Sequence, residues 1–150
     1  MCNPIHSKTT ITLLIFLIQA HQLPGQSSLD PHQFDFQIST HLEKGTTDSA
    51  IVYLNKKAVL AKQNDSLALW GQTQIDLVDA FENDAQKSLS HLEDAWANRW
   101  REPRNAEEWR PFMIIHANRG WFYTKTGKVW HSLQAYEQAA KLYERFKYPG

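Results

Sequence analysis

Histidine is the side chain best suited to acid–base and metal chemistry at neutral pH, and this chain has seven: His6, His21, His32, His41, His91, His116 and His131. Holding one ion from a single helix needs two of them three or four residues apart. No pair has that spacing, and no His-Glu-x-x-His run occurs. The sequence also lacks a Gly-rich phosphate loop and a Gly-x-Ser-x-Gly nucleophile turn. Asp76, Asp79, Glu82 and Asp84 fall around one helix end, without the loop glycine a calcium hand requires, so a solvated face is the simpler reading. The single cysteine, Cys2, excludes a disulfide framework and a Cys-based zinc site. No catalytic residue, cofactor or metal is expected, and the chain is not expected to be an enzyme.

Two other patterns bear on binding. Trp96, Arg99, Trp100, Arg101, Arg104, Trp109 and Arg110 interleave aromatic and basic side chains. They could form an anion or glycan surface with Arg stacked on Trp. They could equally be a helix end whose Trp rings plug the core, with Glu102, Glu107 and Glu108 neutralising the arginines. Asn64-Asp65-Ser66 is a turn signal and also has the form of an N-glycosylation acceptor.

The elements that position these residues belong to one domain or part of one, since 150 residues match a single domain of roughly 100–200. Sixteen basic side chains balance sixteen acidic ones, so there is no net field to attract nucleic acid or an acidic membrane. Aromatic residues make up 12% of the chain, too many for a disordered segment. Residues 1–25 read as an export signal: Lys8, an apolar run from Ile11 to Ile18, then Ala20 and Gly25 as cleavage positions. We expect cleavage after Gly25, leaving residues 26–150 as an exported domain with no membrane span. The run is shorter than the ~20 residues needed to cross a bilayer, and Cys2 precedes it, which excludes lipid attachment at a following cysteine.

After residue 30 the apolar residues recur at helical spacing. Phe34, Ile38 and Leu42 define a first helix ended by Gly45. Asp48 is placed to cap a second, with Ile51, Leu54, Ala58 and Ala61 on one stripe. A third offers Leu67, Trp70, Ile75, Val78 and Phe81, and a fourth Leu89, Leu92, Ala95, Trp96 and Trp100. Glu102 to Glu108 reads as a polar linker. Pro111 suits the first turn of a fifth helix, which runs to Gly127. A sixth carries Trp130, Leu133, Tyr136, Ala139, Ala140 and Tyr143, with Leu133, Tyr136 and Ala140 expected on helix five.

Six helices with short turns suggest an antiparallel array, and residues 113–146 carry a recognisable unit. Gly120 and Ser132 are small residues at facing positions of two helices, Tyr123 and Tyr136 are the aromatics between them, Gly127 is the turn, and Ala139 is a further small residue. This pattern resembles the tetratricopeptide repeat, an all-α fold of stacked helix-turn-helix pairs. Arg119, Val129 and Glu144 depart from it, where the family has Leu, an aromatic and Pro. Residues 43–64 and 67–100 match more loosely, with Lys57 and Asp76 at positions meant for small residues.

The resemblance implies a scaffold that binds a protein or peptide. In peptide-binding arrays of this family an Asn at the position of Asn118 lines the concave groove and bonds the backbone of an extended ligand. Trp121, Thr124 and Lys125 would lie near that face. Similar repeats often precede a CHAT-type peptidase domain, which gives a second reading as the regulatory segment of a longer enzyme; a purely structural bundle is a third. Trp130, Leu142, Tyr143, Phe146 and Tyr148 cannot all share one stripe, so helix six should leave rings exposed and self-associate.

Overall fold

The computed structural model describes residues 29–81 and 84–147. The expected export segment, residues 1–25, lies outside them. Among the described residues there are six α-helices, a short 3-10 turn (Pro31–Phe34) and no strand. The helices are α1 (Asp35–Glu43), α2 (Thr47–Gln63), α3 (Leu67–Asp79), α4 (Ala85–Ala97), α5 (Ala106–Lys125) and α6 (Val129–Lys147). The protein is all-α.

Three of the turns share one hydrogen-bond geometry. After α1 the Thr46 amide donates to the His41 carbonyl and the Gly45 amide to Leu42, with Gly45 at φ +67°. After α5 the Lys128 amide reaches Tyr123 and the Gly127 amide Thr124, with Gly127 at φ +74°. After α2 the same pair of bonds runs from Ser66 to Ala61 and from Asp65 to Lys62. Each satisfies carbonyls that the helix end would orphan, at the cost of one left-handed residue. At the third turn that residue is Asp65, φ +52°, the one non-glycine of the described residues there. Asp tolerates this region better than most residues.

The helices pack in chain order. α1 lies on α2 and α2 on α3; α3 touches both α4 and α5, α4 touches α5, and α6 rests on α5 alone. The main core joins α2 to α6 around Leu67, Leu89, Leu92, Phe112 and Ile115, with a smaller cluster of Ile38, Leu54, Leu77 and Ala80 among α1, α2 and α3. A line of edge-to-face and tilted rings crosses the main core, from Trp100 to Trp70 (5.5 Å), Phe112 (6.3 Å), Trp96 (5.8 Å) and His116 (4.5 Å).

Four expectations are corrected. Asp48 does not cap α2; it sits inside the first turn, and the Thr46 hydroxyl at the cap position instead donates to the His41 carbonyl. Glu102–Glu108 is not all linker, because α5 begins at Ala106. Asn105 accepts from the Glu108 amide at 3.0 Å and two acids follow in the first turn, which favours the earlier start. Pro111 is therefore inside α5, where it removes one helical hydrogen bond. Its buried ring fills the space left by Gly71 of α3, whose missing Cβ would stand 3.0 Å from it. Finally, α6 turns Ser132, Ala135 and Ala139 to α5, with the Tyr136 ring lying over Gly120 at their edge, whereas Leu133 and Ala140, also expected there, are exposed. Small residues on the buried side let the two helices approach closely.

Candidate functional site

The α5–α6 hairpin carries most of the residues singled out by the sequence. Gly120 is buried, and a Cβ there would stand 2.9 Å from the ring of Tyr136. The Ser132 hydroxyl donates to the Gly120 carbonyl at 2.8 Å. Tyr123, Ser132 and Ala139 are buried, and Gly127 makes the turn. Tyr136 differs from the rest: its ring covers Gly120, yet 42% of the residue is exposed. It lies at the edge of the seam rather than within it.

On the outer side of α5, Asn118, Trp121 and Lys125 share one stripe, separated by three and four residues. Trp121 is 46% exposed, its ring edge-on to Phe122 and 5.0 Å below the Lys125 ammonium. Asn118 is half-buried beside them. A half-open indole, an amide and a cation offer a surface for stacking and for backbone hydrogen bonds. Thr124 does not join this stripe. Its hydroxyl bonds the Gly120 carbonyl (3.1 Å) and the Ser132 hydroxyl (2.8 Å), so it serves the α5–α6 seam.

A second concavity was not legible in advance. His116, Arg119 and Tyr123 of α5 and His131, Gln134 and Gln138 of α6 line a cavity of about 320 Å³. The Tyr123 hydroxyl donates to Glu93 of α4. Burial, and then that bond, push the phenol above its ordinary range. Arg119 donates to Nδ1 of His116 at 3.2 Å, which fixes the imidazole as an acceptor there. Burial, and then the charges of Arg119 and Arg99, hold His116 down to about 4, so it is neutral at physiological pH. The signal in the sequence was Arg119 itself, a cation where the repeat has Leu.

The Trp–Arg cluster resolves into structure. Arg101 grips Glu108 with both guanidinium arms, at 2.7 and 2.8 Å, both side chains being mostly buried. It also donates to the Asp65 carboxylate at 3.0 Å and carbonyl at 3.1 Å. Trp100 donates to the same carboxylate at 2.9 Å. The bonds from Trp100 and then Arg101 hold the Asp65 carboxyl below its usual range. Arg99 stacks 3.8 Å over Trp96 and pairs with Glu102. This cluster thus ties the turn before α3 to the linker before α5. Glu107, expected among the neutralising acids, makes none of these pairs. The Asn64 side chain donates to the Leu29 carbonyl at 3.1 Å.

The acidic group is divided. Asp84 caps α4 by accepting from the Lys87 amide, and Asp76 accepts from Gln72. Burial, and then Asp76, raise Asp79. Among the described residues no three His, Cys, Asp or Glu side chains converge as a metal site, and no helix is long and apolar enough to cross a membrane. Comparison of the chain with protein-family models, curated proteins and solved structures finds no match.

Proposed function

We propose that this chain is an exported, tetratricopeptide-like scaffold, without catalytic activity, that binds an extended peptide or a protein segment on the outer face of α5. The observation that carries the reading is the Asn118–Trp121–Lys125 stripe. It combines an amide able to pair with a peptide backbone, a half-exposed indole and a cation over its ring. An extended ligand presents unpaired N–H and C=O groups, and such a stripe can satisfy them while shielding apolar side chains. The close α5–α6 approach at Gly120, Ser132 and Tyr136 supports the repeat-like part of the reading. The apolar run Ile11–Ile18 supports export.

Selection of a random peptide library against the purified chain tests it. Selected peptides should lose about tenfold or more in affinity with Asn118→Ala and with Trp121→Ala, as a lost backbone bond or aromatic anchor implies. Peptides that bind both variants as well as the parent chain would place the ligand elsewhere and refute the reading.

A further inference from the structure

The cavity between α5 and α6 holds a cation without an anion. Its α5 wall is His116, Arg119 and Tyr123, at spacings of three and four residues, and its α6 wall repeats those spacings with His131, Gln134 and Gln138. Arg119 is half-buried. Its Nη1 donates to the neutral His116 imidazole at 3.2 Å, and its Nε is buried with no hydrogen-bond partner within the chain. The ion pairs among the described residues do not include it. Glu93 accepts from the Tyr123 hydroxyl instead, and Glu137 on the α6 rim pairs with Lys141 at 2.8 Å. Lys128 adds a positive charge 5.9 Å from the Tyr123 ring. A cation drawn out of water without a counter-charge costs free energy, which a bound anion offsets.

We propose that this cavity binds a small organic carboxylate, with Arg119 as its counter-charge. With Glu93 set against Lys128, and Glu137 against Lys141, one positive charge remains at the site. It balances a monoanion and leaves a phosphate dianion uncompensated. The planar guanidinium also matches the two oxygens of a carboxylate. At the rim Gln134 and Gln138 carry amide N–H donors. The His131 ring lies against Tyr123 with centroids 5.3 Å apart, tilted by 39°, so the same cavity offers aromatic surface to the body of the ligand. Its volume of about 320 Å³ is at the small end for a ligand site and suits one ring or a short chain. The cavity lies on the α6 side of α5, apart from the Asn118–Trp121–Lys125 stripe, and does not depend on a peptide binding there.

Titration of the purified chain with sodium benzoate, followed by NMR of the backbone amides, reads the site. Saturable shifts centred on Arg119, Tyr123, Gln134 and Gln138 are expected, with a Kd of about 1 mM or tighter for so small a ligand. Benzamide has the same shape without the charge and should bind at least about tenfold more weakly. Inorganic phosphate should bind no better than benzamide. Arg119→Gln should weaken benzoate about tenfold or more. Gln138→Glu changes an exposed position, so its circular dichroism should match the parent chain, and it should weaken benzoate about tenfold by setting a like charge at the rim. If Arg119→Gln fails to fold, Gln138→Glu decides alone. Absence of saturable shifts with benzoate, benzamide binding as tightly as benzoate, or a benzoate affinity that folded variants leave unchanged would overturn the proposal. Phosphate binding more tightly than benzoate would overturn the assignment to a carboxylate.

Discussion

Replacing Gly120 by Ala tests the closest approach in the hairpin. Mid-helix, the exchange by itself should stabilise by about 0.5–1 kcal/mol, because Gly loses more backbone freedom on folding. Here the new Cβ would stand 2.9 Å from Cγ, Cδ1 and Cε1 of Tyr136. Those atoms include the root of the ring, so rotating its tip is not enough; either the whole side chain leaves the seam or α6 shifts. A shift would stretch the 2.8 Å bond from Ser132 to the Gly120 carbonyl. Overpacking of this kind costs about 1–3 kcal/mol. The net expectation is a loss of about 1–2 kcal/mol. Tyr136→Ala removes the obstacle and, with the ring already 42% exposed, should cost about 1–2 kcal/mol, less than a fully buried aromatic. In that background Gly120→Ala should change sign and stabilise by about 0.5–1 kcal/mol. The coupling is then about 2 kcal/mol, well above the scatter expected of independent sites. Urea denaturation followed by circular dichroism, at submicromolar concentration to exclude association, measures all four corners of the cycle. Additive effects would refute the close packing of α5 on α6 at this point.

Acid should weaken the fold through His116. Its native pKa of about 4 lies below the ordinary 6.5, so below that ordinary value the unfolded chain takes up a proton that the native state refuses. Stability should be full above about pH 7 and fall by about 3 kcal/mol as pH drops to 4; His116→Phe should flatten that slope, and an unchanged slope would contradict the burial argument. Arg101→Lys keeps the charge but loses the two-armed grip on Glu108 and should cost about 1–2 kcal/mol in thermal or urea unfolding, the pair being partly solvent-screened. If Arg101→Lys matches the parent chain, the cluster does not join the two turns.

The apolar spacing made most of the helices legible. Leu54, Ala58 and Ala61 on α2, and Leu89, Leu92 and Ala95 on α4, are buried as their periodicity requires. The start of α5 was not legible, because Pro111 competes with Asn105 as a helix signal. The competition is settled by Gly71, forty residues earlier, which leaves room for the proline ring. No local rule contains that information. The Trp–Arg cluster was ambiguous for the same reason. Asp65 reaches Arg101 across 36 residues, and only the fold brings the left-handed turn beside the linker. Of the candidate peptide-binding residues, the helical repeat alone unites Asn118, Trp121 and Lys125. Thr124 left the group because its neighbour Ser132 lies on another helix.

The face that α6 turns to α5 was only partly legible, because two faces of the helix compete for it. Its sequence contains two adjacent stripes with helix–helix spacing: Ser132, Ala135, Ala139, Leu142 and Phe146 on one, Val129, Leu133, Tyr136, Ala140 and Tyr143 on the other. Hydrophobicity ranks the second stripe first, since it has the larger side chains. Close packing ranks the first stripe first, since its N-terminal half is small enough for Gly120 and Thr124 to meet Ser132. Near the C-terminal end the seam is filled by rings, Phe146 lying against Trp109 with centroids 5.8 Å apart. Steric fit therefore chose the face for α5: Leu133 and Tyr143 were left outside, and the Tyr136 ring lies over Gly120 at the edge of the seam. A helix that turns its small residues inward and keeps Leu133 and Tyr143 outward packs on α5 by fit rather than by side-chain size.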